Sequence, residues 1–131
     1  MSTSEKDFDG WNRRKKMIHE KDLNLIYHQG EIWWCHLGIN IGFEEDGSGE
    51  SAERPVLIVR RFSKYLCWAI PLSTSQKNNP YYVPAGMVDD KVAAAMISQM
   101  RPIDTKRLIN QIGVMDPEFF YQIKKAAKGL L

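Results

Sequence analysis

What most constrains this chain is a series of short apolar runs, each closed by turn residues before it is long enough for a helix. Glu31-Ile32-Trp33-Trp34-Cys35-His36-Leu37 follows Gly30, and Val56-Leu57-Ile58-Val59 follows Pro55. Tyr65-Leu66-Cys67-Trp68-Ala69-Ile70-Pro71-Leu72 follows Ser63-Lys64. The runs are rich in aromatic and β-branched residues and have the length of strands. Little more than a turn separates the second from the third, which predicts a hairpin. Tyr81-Tyr82-Val83, set between Pro80 and Pro84, reads as a short edge strand, where a missing N–H is tolerated.

The intervening segments are polar. Residues 38–54 hold four glycines, and Glu44 to Glu53 has five carboxylates in ten residues, so this stretch reads as a long acidic loop that Pro55 ends. Ser73 to Asn79 reads as a second polar loop. Residues 89–100 admit two readings: Lys91–Met96 favours helix by propensity, while Met96–Ile103 fits a strand. Asp104 can cap a short turn containing Lys106, Arg107 and Leu108. Asp116-Pro117-Glu118 combines a cap, a proline at the first helical position and an acid in the first turn. A final helix should follow, with Phe119, Phe120, Ile123, Ala126, Ala127 and Leu130 on its apolar face. At the other end, Trp11, Lys15, Ile18 and Asp22 or Leu23 form a weak helical stripe that predicts a helix over about Phe8–Asn24. The chain thus divides into an N-terminal helical extension, residues 1–28, and one domain, residues 29–131. Several short strands followed by a helix imply a small antiparallel barrel with the helix packed on it.

Composition narrows the function classes. No apolar run approaches the roughly 18 residues that span a bilayer. The N-terminus shows no apolar signal core, and the two cysteines, Cys35 and Cys67, lie in apolar runs. Both observations fit reduced thiols in the cytoplasm. The net charge of +2 says little, but Arg13-Arg14-Lys15-Lys16 and the group Arg60, Arg61, Lys64 concentrate positive potential. Ordinary solvated charge explains each run equally well. No C-x-x-C, H-E-x-x-H, P-loop or G-x-S-x-G motif is present, so neither a metal nor a cofactor is expected. His28 and His36 flank the first strand, and eight residues of straight strand is over about 20 Å, too far for one acid–base pair.

Four blocks, in order, resemble the MazF/PemK family of toxins of type II toxin–antitoxin systems. They are Gly30-Glu31-Ile32-Trp33, Glu53-Arg54-Pro55-Val56-Leu57-Ile58-Val59, Ile70-Pro71-Leu72-Ser73-Thr74-Ser75, and Ser98-Gln99-Met100-Arg101-Pro102-Ile103-Asp104-Thr105-Lys106-Arg107-Leu108. Gly113-Val114-Met115 before a helix completes the pattern. The resemblance implies a homodimeric, SH3-like antiparallel barrel of the MazF/PemK/CcdB type. It also implies an endoribonuclease that cuts single-stranded RNA by 2′-hydroxyl attack without metal, and a cognate antitoxin partner. The related CcdB-like toxins bind DNA gyrase instead, so a non-catalytic binder or an inactive barrel on this fold is the alternative.

The resemblance also assigns roles. Arg54 matches the family's charge-stabilising arginine, and a planar guanidinium suits a phosphate that gains charge in the transition state. The family's threonine aligns with Ser73, a departure that keeps the hydroxyl; a shift of one residue gives the role to Thr74. Ser75 and Lys77 follow in the same loop as candidate substrate contacts, and Gln99 matches a substrate-contacting glutamine. Glu44 falls in the family's gating loop, which is lengthened here by Asp46-Gly47-Ser48-Gly49-Glu50.

Overall fold

The computed structural model describes residues 25–37, 53–75 and 79–131. The helix expected over Phe8–Asn24 lies outside these residues. The elements are β1 (Glu31–His36), β2 (Glu53–Arg61), β3 (Leu66–Ser73), β4 (Tyr82–Val88), β5 (Lys91–Met96), β6 (Arg101–Asp104), β7 (Leu108–Val114) and α1 (Pro117–Gly129). Every pairing is antiparallel, and the strand order is β4-β5-β3-β2-β1-β7 with β6 also on β3.

β3 organises this arrangement because both of its faces are apolar. Cys67 and Ala69 join Trp33, Cys35, Val56, Ile58, Ile103 and Leu108 in one buried cluster. Ile70 and Leu72 join Ile32, Leu57, Ala95, Ile123 and Ala127 in the other. A sheet with two apolar faces must be covered twice. It curls over the first cluster, while the β4–β5 hairpin and α1 cover the second. Each fully buried aliphatic side chain contributes about 1.5–3 kcal/mol relative to exposure.

β3 also changes partners along its length. Leu66–Ala69 pair with β6, and Leu72–Ser73 pair with β5. The Tyr65 carbonyl accepts from Thr105 N–H and the Leu66 carbonyl from Phe62 N–H, which fixes the alternation of the backbone. Ala69, Pro71 and Ser73 therefore turn their backbone groups away from β2. Pro71 sits where neither β5 nor β6 is paired, so its missing N–H leaves no carbonyl without a donor.

Sequence and structure part at three places. β2 begins at Glu53, so Pro55 lies inside the strand, opposite Trp34, rather than ending a loop. Lys91–Met96 is a strand despite its helical propensity. Asp89 (φ 53°) and Asp90 (φ 65°) form a two-residue turn of the type that matches hairpin twist, and β4 then pairs along β5. Tertiary pairing outweighs the few tenths of a kcal/mol per residue that separate helix and strand preference. The edge strand runs on past Val83 through Pro84 to Val88, with an irregularity before Gly86.

The caps follow expectation. Asp104 accepts from Lys106 N–H (2.9 Å) and Asp116 from Glu118 N–H (2.9 Å), with Pro117 opening α1. Of the helix's apolar face, Ile123 and Ala127 are buried, Phe120 and Ala126 pack against the core edge, and Leu130 is exposed. Tyr27 fastens the segment before β1: its hydroxyl donates to the carbonyls of Ser63 and Leu66, and Arg61 stacks on its ring while donating to its carbonyl. No helix among the described residues is long and apolar enough to cross a membrane.

Two outcomes test this packing. Gly86 has φ +79°, and a Cβ there would lie 3.1 Å from Phe119 Cε2. Gly86→Ala should lower stability by about 1–2 kcal/mol from backbone strain alone, read from denaturant midpoints. Burial pushes both the Cys35 and Cys67 thiols up to about 12. At pH 8 neither should react with a thiol reagent in the folded protein, and both should react in denaturant.

Candidate active site

Arg54 is the one arginine of the described residues drawn into the core, at 9% exposure. Strand alternation puts it on the face shared by Val56 and Ile58, at the end of the first cluster, beside Cys35 of β1. A guanidinium so placed requires fixed acceptors. Its Nη1 donates to the Leu72 carbonyl at 3.1 Å, a buried bond that crosses from β2 to β3. That bond ties one nitrogen of the planar group to the β3 backbone.

Ser73 is the last residue of β3 and is 4% exposed. Val56 pairs with Pro71 and Leu57 with Ile70; extended two steps, this register sets Ser73 across from Arg54. Both side chains lie on the same sheet face. On its other side Ser73 pairs with Ala94 of β5. Ser73 Oγ accepts from Ser75 N–H at 3.0 Å, so its own hydrogen remains for donation. This bond also folds the chain back as it leaves the strand, which sets Thr74 outward and Ser75 half-buried.

The structure thus gathers Arg54, Ser73, Thr74 and Ser75 at one rim of the barrel. Gln99 is half-buried in the turn Ile97–Gln99, which follows β5 and packs against β3 and α1. Glu44 and Lys77 lie outside the described residues. The Cys35 thiol beside Arg54 is no nucleophile: burial, then the neighbouring Cys67, raises its pKa. The Leu72 carbonyl is the site component that sequence reasoning missed. A backbone group leaves no signature in the residue types, although an arginine directly before a proline within a strand marks where to look.

Other groups weighed from sequence are engaged differently. Arg60 lies over the Phe62 ring (5.4 Å), Lys64 over Tyr65 (5.5 Å) and Arg61 over Tyr27 (4.8 Å). This basic run therefore lines the turn end of the β2–β3 hairpin, at the opposite end of β2 from Arg54. His28 pairs through Nδ1 with Glu31 Oε2 at 3.0 Å. Burial alone would raise the Glu31 carboxyl, but hydrogen bonds from Trp33 and His28 outweigh it and hold the group below its usual value. His36 is exposed at the far end of β1. Among the described residues no three His, Cys, Asp or Glu side chains gather as a metal would require.

Comparison with solved structures gives the same architecture. MazF from Deinococcus radiodurans superposes with a TM-score of 0.66 at 16% identity, covering 82% of this chain and 97% of that one. An endoribonuclease in complex with its cognate antitoxin, from a mycobacterial species, gives 0.61 at 20% identity over 81% of this chain and 98% of that one. The Mycobacterium tuberculosis toxin MazF-mt6 gives 0.58 at 18% identity, with 76% and 93% covered. No curated protein matches the chain in sequence. The model of the PemK-like, MazF-like toxins of type II toxin–antitoxin systems matches residues 28–131. With that match spanning the whole barrel and its helix, this chain belongs to the PemK/MazF toxin family.

Proposed function

We propose that this protein is an endoribonuclease toxin that cleaves single-stranded RNA without a metal, working in the cytoplasm as a homodimer whose site a cognate antitoxin blocks. The observation that carries this reading is the Arg54 guanidinium, tied through Nη1 to the Leu72 carbonyl and set across β2–β3 from Ser73. Family membership and the endoribonuclease among its structural relatives support it. The family match over residues 28–131 supports a toxin domain of 29–131 with residues 1–28 as an extension.

In the proposed reaction the ribose 2′-oxygen attacks the adjacent phosphorus. The P–O2′ bond forms as P–O5′ breaks. The 2′-hydroxyl proton passes to solvent, and the departing O5′ takes one up. The products are a 2′,3′-cyclic phosphate and a 5′-hydroxyl. Negative charge grows on the phosphoryl oxygens and on O5′, where prepositioned donors have their largest effect. Arg54 supplies a fixed positive charge on a planar group that can grip phosphoryl oxygens. With a pKa above about 12, it stabilises by charge rather than by giving up a proton. Ser73 donates its hydroxyl hydrogen to a phosphoryl oxygen, and Thr74 and Ser75 line the approach. Gln99, Lys77 and Glu44 contact more distant parts of the substrate. An antitoxin segment rich in carboxylates would compete for the same donors.

A long single-stranded RNA incubated with the protein in EDTA should yield discrete fragments with 5′-hydroxyl ends. Arg54→Ala should reduce that cleavage by about 10²–10³-fold, the usual loss for one transition-state donor. Intact RNA from the wild-type protein across every substrate offered overturns the reading. Ser73→Ala should slow cleavage more than Thr74→Ala does; the reverse order reassigns the hydroxyl to Thr74.

A further inference from the structure

Pro55 sits inside β2, a strand flanked by β1 and β3, where proline is ordinarily excluded because it cannot donate to the ladder. The side on which that donor is missing follows from the hydrogen bonds. The Ile58 carbonyl accepts from Gly30 N–H, toward β1, so the backbone groups of Leu57 and Pro55 face β3. Across the sheet, the Leu66 carbonyl accepts from Phe62 N–H, so those of Trp68, Ile70 and Leu72 face β2. Extended one step beyond Val56–Pro71, the register sets Pro55 opposite Leu72. The Leu72 carbonyl thus meets a nitrogen that carries no hydrogen. Arg54, the preceding residue, delivers Nη1 to that oxygen.

From this we infer that Pro55 is a positioning residue for Arg54. By withholding the ladder hydrogen it reserves the Leu72 carbonyl as an anchor for the guanidinium, which is then fixed before substrate arrives. The inference deepens the proposed nuclease reading and rests on it for its functional consequence, but the anchor itself is independent of activity. Any other residue at 55 offers an N–H that competes for the Leu72 oxygen along the in-plane direction of the ladder. The guanidinium then loses its fixed orientation while the strand keeps its fold. This also accounts for a proline placed where sheet architecture disfavours one.

The test uses the full-length protein and three readouts. In Pro55→Ala, the thermal midpoint should stay close to wild type. The Arg54 side-chain N–H signals, seen by NMR with ¹⁵N-arginine and assigned by their absence in Arg54→Lys, should lose their protection from solvent exchange. The kcat for RNA cleavage should drop by about 10²-fold, as for a displaced catalytic group, with KM unchanged. A ligated chain carrying N-methylalanine at position 55 has no N–H and no ring; it should restore the Arg54 signals and kcat together. Undiminished protection of the Arg54 signals in Pro55→Ala overturns the inference, whether or not the protein cleaves RNA. Lost protection with an unchanged kcat overturns the positioning role. Wild-type protein that cuts no RNA removes the nuclease reading, while the NMR comparison still decides the anchor. If Pro55→Ala does not fold, the N-methylalanine chain decides: wild-type signals support the anchor, and lost protection refutes it.

Discussion

The hydrogen-bonding capacity of β3 is the constraint on which the remainder of the molecule depends. On one side it meets β2; on the other it meets β6 over Leu66–Ala69 and β5 over Leu72–Ser73. A strand serving three partners, apolar on both faces, ties the curled core cluster to the helix-covered one. Two prolines, Pro55 of β2 and Pro71 within β3 itself, stand where the ladder has something other than a backbone donor to accommodate. At Pro71 there is a gap between partners. At Pro55 there is a side chain.

The candidate site inherits its rigidity from that framework. Arg54 and Ser73 come from neighbouring strands near their ends, where sheet geometry fixes Cα positions but solvent is close. Side chains on strands are better oriented than side chains on free loops, which suits stabilisation of charge that exists only in the transition state. Arg54 is 9% exposed, so its charge sits largely out of bulk water. Electrostatic donors gain strength in such surroundings because water screens them less.

The turn end of the β2–β3 hairpin has a different character. Cations and aromatic rings pair with one another there, and Thr105 fastens the turn through the Lys64 carbonyl. Such pairs are modest in strength at exposed positions. The positive charge that the sequence concentrates at Arg60, Arg61 and Lys64 is therefore, in the fold, at the other end of β2 from Arg54.

Much of the architecture was legible in the residues. The apolar runs named β1, β2 and β3, and Asp104 and Asp116 announced their caps, because capping and short apolar runs are local chemistry. The order of motif blocks pointed to Arg54 and Ser73, which the fold sets on one face of neighbouring strands. Sequence did not place Lys91–Met96, where a run of alanines speaks for helix and only pairing with β4, across a two-aspartate turn, makes it a strand. Nor did it reveal why Pro55 follows Arg54. That depends on which carbonyl lies opposite a missing hydrogen, and on which side of the sheet each backbone group points. Those are properties of register between segments far apart in the chain, and only the assembled sheet fixes them.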